Sequence, residues 1–155
     1  TMGEVPRPTT ASEVFRGCLA RLEQADAAKV SVEATNSPAF TCPPEGLIQV
    51  VLSLVHNACW AVRDNGGRIV LSSESTGAGV ALVVKDDGIG IDAPMLMRIG
   101  EPFVTTKPPG EGMGLGVFLA RTFVERWGGR FDLRSDGGQG AVATLELPRA
   151  EKAHG

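Results

Sequence analysis

The chain has 155 residues, enough for one domain with a proper core, and its 43% hydrophobic and 21% charged residues are ordinary for a globular protein. A formal charge of −3 with scattered basic residues lacks the broad positive footprint of a nucleic-acid binder. No apolar run is long enough to span a bilayer and no signal-peptide pattern opens the chain, so the sequence predicts a soluble, cytoplasmic piece without direct membrane contact.

In chain order, residues 1–11 read as an extended leader or a remnant ahead of the native start. Ser12 is expected to cap a helix running to about Gln24, with Val14, Phe15, Cys18, Leu19 and Leu22 on one face. Residues 30–34 alternate as a strand. Pro43-Pro44-Glu45 suits a helix start, because proline in the first turn forfeits no hydrogen bond. That helix is expected to reach about Arg63, turning Leu47, Val51, Leu54, Val55, Ala58 and Val62 inward before Asn65-Gly66-Gly67 stops it.

Two β-rich runs, 68–74 and 80–86, flank a Ser-Thr-Gly-Ala-Gly turn and predict an antiparallel hairpin. A short helix is expected over 94–99. Residues 100–114 lack apolar periodicity, and a connection that long usually serves function, commonly as a lid. The next helix starts at Gly114 and is expected to bury Leu115, Phe118, Leu119, Phe123 and Trp127, leaving Arg121, Glu125 and Arg126 outside. Runs 130–135 and 141–147 predict a second hairpin around Asp136-Gly137-Gly138. No repeat or linker divides residues 12–148, which are read as one monomeric domain followed by a flexible tail, 149–155. Helices on one face of a mixed, mostly antiparallel sheet are the expected α/β architecture.

Four segments carry candidate chemistry. Gly112, Met113, Gly114, Leu115 and Gly116 combine bare backbone with a helix start, whose N–H groups and dipole can cradle a phosphate. Asn57 lies on the long helix, one turn beyond Ser53 and two beyond Gln49, in a polar row beside the apolar stripe. Its neutral amide oxygen suits Mg²⁺ held chiefly by phosphates and water. Asp86 follows a strand and can accept the amino hydrogen of adenine, while Gly88 and Gly90 let the backbone pass close to the base and Asp87 faces away. Phe103 can anchor the lid, and Lys107 can reach phosphates as a point charge. Each also has a plain structural alternative: a flexible loop, a turn aspartate, a solvated asparagine or lysine, or local loop packing. Cys18, Cys42 and Cys59 are odd in number and lack metal-ligand spacing, which reads as reduced thiols.

With these segments in order, the chain resembles the catalytic, ATP-binding domain of two-component sensor histidine kinases, within the gyrase, Hsp90, histidine kinase and MutL ATPase superfamily. His56-Asn57-Ala58 is similar to the N box, 86–90 to the first glycine box, 101–107 to the F box and 112–116 to the second glycine box. The resemblance implies a two-layer α/β sandwich with an ATP lid, Asn57 as the Mg²⁺ ligand, Asp86 as the adenine reader and 112–116 as the lid edge at the phosphates. Many members carry asparagine at the position of Ser53 and a lysine or arginine at that of Trp60; Lys107 is expected to compensate. Relatives that hydrolyse ATP place a glutamate at the Ser53 position, so serine there points to phosphoryl transfer to a protein.

The resemblance further implies partners: a dimerisation domain bearing the acceptor histidine, from the same parent or in trans, and a response regulator. Two alternatives stay open, a stand-alone serine kinase of the anti-sigma-factor type and a nucleotide-dead interaction module.

Overall fold

A computed structural model describes residues 4–33, 36–91, 98, 116–135 and 140–150. The described helices are α1 (Ala11–Leu19), α2 (Gln24–Ala27), α3 (Pro44–Ala61) and α4 (Gly116–Arg126). The strands are β1 (Arg7–Thr9), β2 (Val30–Val32), β3 (Phe40–Cys42), β4 (Ile69–Ser75), β5 (Val80–Asp86), β6 (Arg130–Ser135) and β7 (Ala141–Leu147). Five strands form one sheet in the order β2-β4-β5-β7-β6, and β1 pairs with β3 separately. Within the larger sheet only β2 with β4 is parallel.

Strand alternation decides what faces the helices, because successive side chains point to opposite faces. Along β5, Val80, Leu82, Val84 and Asp86 share one face, and the register sets them beside Ile69 and Leu71 of β4 and Ala143, Leu145 and Leu147 of β7. That face forms the core with Val14 and Phe15 of α1, Leu47, Val51, Leu54, Val55 and Ala58 of α3, and Val117, Ala120 and Val124 of α4. Burying a side chain of this size stabilises the fold by about 1.5–3 kcal/mol. The result is the expected two-layer sandwich, one sheet with helices on one face. None of the described helices is long and apolar enough to cross a membrane.

Several local expectations shift. Thr10, not Ser12, caps α1: its backbone is extended and its hydroxyl accepts from the Glu13 N–H at 3.3 Å. The helix ends at Leu19 rather than Gln24, and Leu22 reaches the core from the turn that follows. On α4 the inward stripe is Val117, Ala120 and Val124, with Leu119 50% exposed and Phe123 and Trp127 only partly buried. Small residues let α4 approach closely, so the larger ones fall to the flanks. β1 and β3 lie where no strand was expected; three-residue strands beside prolines leave too short a pattern to read. Of the helix expected over 94–99 only Arg98 is described, and it is helical.

Candidate functional site

α3 and α4 pack side by side, and Gly116, the first residue of α4, meets the polar row of α3. A Cβ at Gly116 would stand 2.8 Å from Ser53 Oγ and 3.0 Å from Asn57 Nδ2. The start of α4 is thus held against a half-buried asparagine and serine rather than against carbon. Here the structure brings together two of the segments singled out from the sequence.

Asp86 ends β5 on the helix-covered face and is only 8% exposed, whereas Asp87 is exposed. Burial pushes the Asp86 carboxyl above the usual carboxylate range; the backbone N–H groups of Gly88 and Ala141 oppose that shift, and the neighbouring Asp87 charge adds to it. The Gly88 N–H donates to Asp86 Oδ1 at 2.9 Å, which orients the carboxylate. Behind it, Gly140 runs at φ +87 with its Cα over the Asp86 carbonyl oxygen, where any Cβ would collide. Glycine is required there on both counts.

The segment after Asp86 is fastened on each side. Asp87 Oδ1 accepts from the Arg68 N–H, and Asn65 Nδ2 donates to the Asp87 carbonyl at 3.1 Å. The Ile89 N–H donates to the Ala61 carbonyl at 3.1 Å, satisfying an acceptor at the C-terminus of α3. Gly88 passes so near that carbonyl that a Cβ would lie 2.5 Å from its oxygen. Gly90 adopts φ +74, a left-handed conformation that favours glycine. The Ile91 N–H then donates to Ser135 Oγ at 2.7 Å, and that hydroxyl donates to the Gly140 carbonyl at 2.6 Å. Four anchoring bonds over the five residues from Asp87 to Ile91 make a preorganised edge, not a loose turn.

Phe103, Lys107, Gly112, Met113, Gly114 and Leu115 lie outside the described residues. Among the described residues no three His, Cys, Asp or Glu side chains gather as a metal cage. Of the described polar side chains that meet Gly116, the Asn57 amide is one whose oxygen could serve a hard divalent ion as a ligand. Burial pushes the Cys18 thiol up to about 11 and the Cys42 thiol up to about 12, so both stay protonated at neutral pH.

The family described as histidine kinase-, DNA gyrase B-, and HSP90-like ATPase matches residues 42–151. The chain belongs to this ATPase family. Sensor histidine kinase ZraS of Escherichia coli (strain K12) is 42% identical over 111 residues, covering 72% of this chain and 23% of ZraS. The chain therefore spans about a quarter of that relative's length. Full-length ShkA, solved in complex with AMPPNP, superposes with a TM-score of 0.75 at 25% identity, covering 96% of this chain and 32% of ShkA. The mycobacterial sensor histidine kinase MprB shares the fold at a TM-score of 0.75 and 24% identity, over 94% of this chain and 98% of that one. The expected resemblance to sensor histidine kinases and the expected fold are both borne out.

Sequence reasoning missed Gly140 and Ser135, which hold Asp86 and Ile91 from the second hairpin. The glycine beside the Asp136-Gly137-Gly138 turn reads as ordinary turn composition, and only the β5–β7 register reveals that it faces Asp86.

Proposed function

We propose that the chain is the ATP-binding catalytic domain of a sensor histidine kinase, acting in the cytoplasm. In this reading it binds ATP with Mg²⁺ and delivers the γ-phosphoryl group to a histidine on a separate dimerisation domain, for relay to a response regulator. The domain spans 12–148, with β1 before it and the Phe40–Arg149 bridge after it fastening the flanks. What supports the proposal is the Asn57 amide against Gly116 of α4, together with the buried Asp86 carboxylate that the Gly88 N–H orients.

Each group has a task that its surroundings suit. Asp86, oriented by the Gly88 N–H, accepts the amino hydrogen of adenine. Gly88 and Gly90 keep side chains off the edge beside the base. Asn57 gives its amide oxygen to the metal, which, when bound, neutralises phosphate charge. Gly116, with Gly112, Met113, Gly114 and Leu115 before it, presents backbone N–H groups towards the phosphates; Phe103 anchors the lid and Lys107 adds a positive charge. Ser53, beside Asn57, offers a neutral hydroxyl that cannot serve as the general base taking a proton from water near neutral pH, which favours transfer to a protein acceptor over hydrolysis. Alignment and charge neutralisation are the main requirements of such a transfer.

The test is incubation with labelled ATP, Mg²⁺ and a histidine-kinase dimerisation domain, followed by acid treatment. Acid-labile label on the acceptor is the expected result. Acid-stable label would indicate serine phosphorylation, and a protein that binds no nucleotide would refute the reading.

A further inference from the structure

Asp86, Ala141 and Ser135 stand in one row across the sheet, because Asp86 pairs with Ala141 and Ala141 pairs with Ser135. Adjacent strands lie about 4.8 Å apart, which puts Ser135 roughly 10 Å from Asp86 along that row. The segment that leaves β5 after Asp86 crosses the end of β7 and lands on this serine: the Ile91 N–H donates to Ser135 Oγ at 2.7 Å. On the way it passes Gly140, whose Cβ would lie 3.0 Å from Asp87 Cα. Five residues span about 17 Å when extended, so this segment is curled, and the point at which Ser135 holds its far end decides how it curls.

The hydroxyl is used in both directions. It accepts from Ile91 and donates to the Gly140 carbonyl at 2.6 Å, on a half-buried side chain. Its one proton is committed to the protein, so Ser135 acts on a ligand through the segments it joins rather than by touch. Those segments carry the two backbone N–H groups that favour the charged form of Asp86, Gly88 on one side and Ala141, next to Gly140, on the other. A carboxylate accepts from the amino group of a 6-aminopurine and repels the carbonyl oxygen of a 6-oxopurine, so its aim decides between the two.

We propose that Ser135 is a positioning residue for base recognition: by tying Ile91 to Gly140 it fixes the edge around Asp86 and sets the preference of the site for a 6-aminopurine over a 6-oxopurine. The inference rests on the ATP-binding reading above. A role in stability alone is the alternative. It would lower the melting temperature and leave the choice between bases unchanged in the folded chain.

Calorimetric titration of the whole chain with ATP and with ITP, each with Mg²⁺ and well below the melting temperature, tests the proposal. The two nucleotides differ only in the 6-substituent and the N1 proton that accompanies it. Ser135→Ala is expected to weaken ATP about three- to tenfold and ITP less, narrowing the preference, because two short hydrogen bonds lose their shared partner. Ser135→Thr keeps the hydroxyl and is expected to retain the parent's preference. An unchanged ratio in Ser135→Ala, or a Ser135→Thr ratio that falls as far as that of Ser135→Ala, overturns the proposal while the ATP-binding reading stands. So does a parent chain that binds ATP and ITP equally. A parent chain that binds neither nucleotide overturns both readings. Should Ser135→Ala not fold, Ser135→Cys supplies the second arm: a thiol is a weak donor and acceptor, so the same narrowing is expected at smaller amplitude, and an unchanged ratio counts against the role.

Discussion

At one end of the α3–α4 pair, Gly46 meets a phenyl ring; at the other, Gly116 meets an amide and a hydroxyl. A Cβ at Gly46 would stand 2.7 Å from Phe123 Cε2, and the Gly46 and Glu45 N–H groups donate to the Glu4 carboxylate at 2.8 and 2.7 Å. Those contacts occupy the first donors of α3 and cover them with an aromatic side chain. At Gly116 the same absence of a side chain places the backbone against Ser53 Oγ and Asn57 Nδ2. A glycine that lets two helices approach serves packing when its neighbours are carbon and already-used donors. It serves chemistry when they are polar groups with capacity for a ligand.

The sharpest way to break that comparison is at the Asn57 end. Asn57→Ala and Asp86→Asn are each expected to weaken ATP binding by roughly 10- to 100-fold in calorimetry, the range for losing a contact to a charged group. Asp86→Asn carries a second, opposite signature. Because burial raises the folded-state pKa, neutral Asp86 stabilises the fold below the ordinary carboxylate range, and that contribution is lost as pH rises through the folded value. The asparagine variant is therefore expected to melt higher than the parent near neutral pH without nucleotide, yet to bind worse. By the same sign, ATP affinity of the parent falls on acidification, beginning above the pH at which an unperturbed aspartate would protonate. An affinity that is flat across the acid limb would remove Asp86 from the site.

At the packed end, Gly46→Val forces Phe123 aside and is expected to cost about 1–3 kcal/mol in urea unfolding, with ATP affinity unchanged. Gly116→Ala inverts the pattern. Higher helix propensity offsets the displacement of Ser53 and Asn57, so stability should change by less than about 1 kcal/mol while ATP binding weakens measurably. The smallest effect is expected from Glu4→Gln, which keeps the acceptor shape but loses its charge at the start of α3. About 0.3–1 kcal/mol of stability should go, with no change in binding. If Glu4→Gln altered ATP affinity as strongly as Gly116→Ala, the two ends would not be separable.

Much of this was legible because the local signals were long. Seven-residue alternation on either side of a glycine-containing turn marks the β4–β5 hairpin to within a residue, and Pro44 marks the start of α3. Asn57, Asp86 and Gly116 stand on elements of the expected type. What stayed hidden depends on contacts remote in the chain. Glu4 reaches Glu45 across 41 positions, and the parallel pairing of β2 with β4 brackets the whole of α3. On α4, ranking by size favoured Leu119, whereas close approach to α3 selected Val117 and Ala120.

The most direct measurement is a nitrogen-15 NMR titration of the folded chain with ATP and Mg²⁺, followed residue by residue. The expected result is concerted shifts at the Asn57 side-chain amide and the Gly88, Gly90 and Gly116 backbone amides, with Glu45 and Gly46 unmoved. Shifts confined to the Gly46 end, or scattered without the Asn57, Gly88 and Gly116 resonances, would contradict the claim that these groups line one nucleotide site.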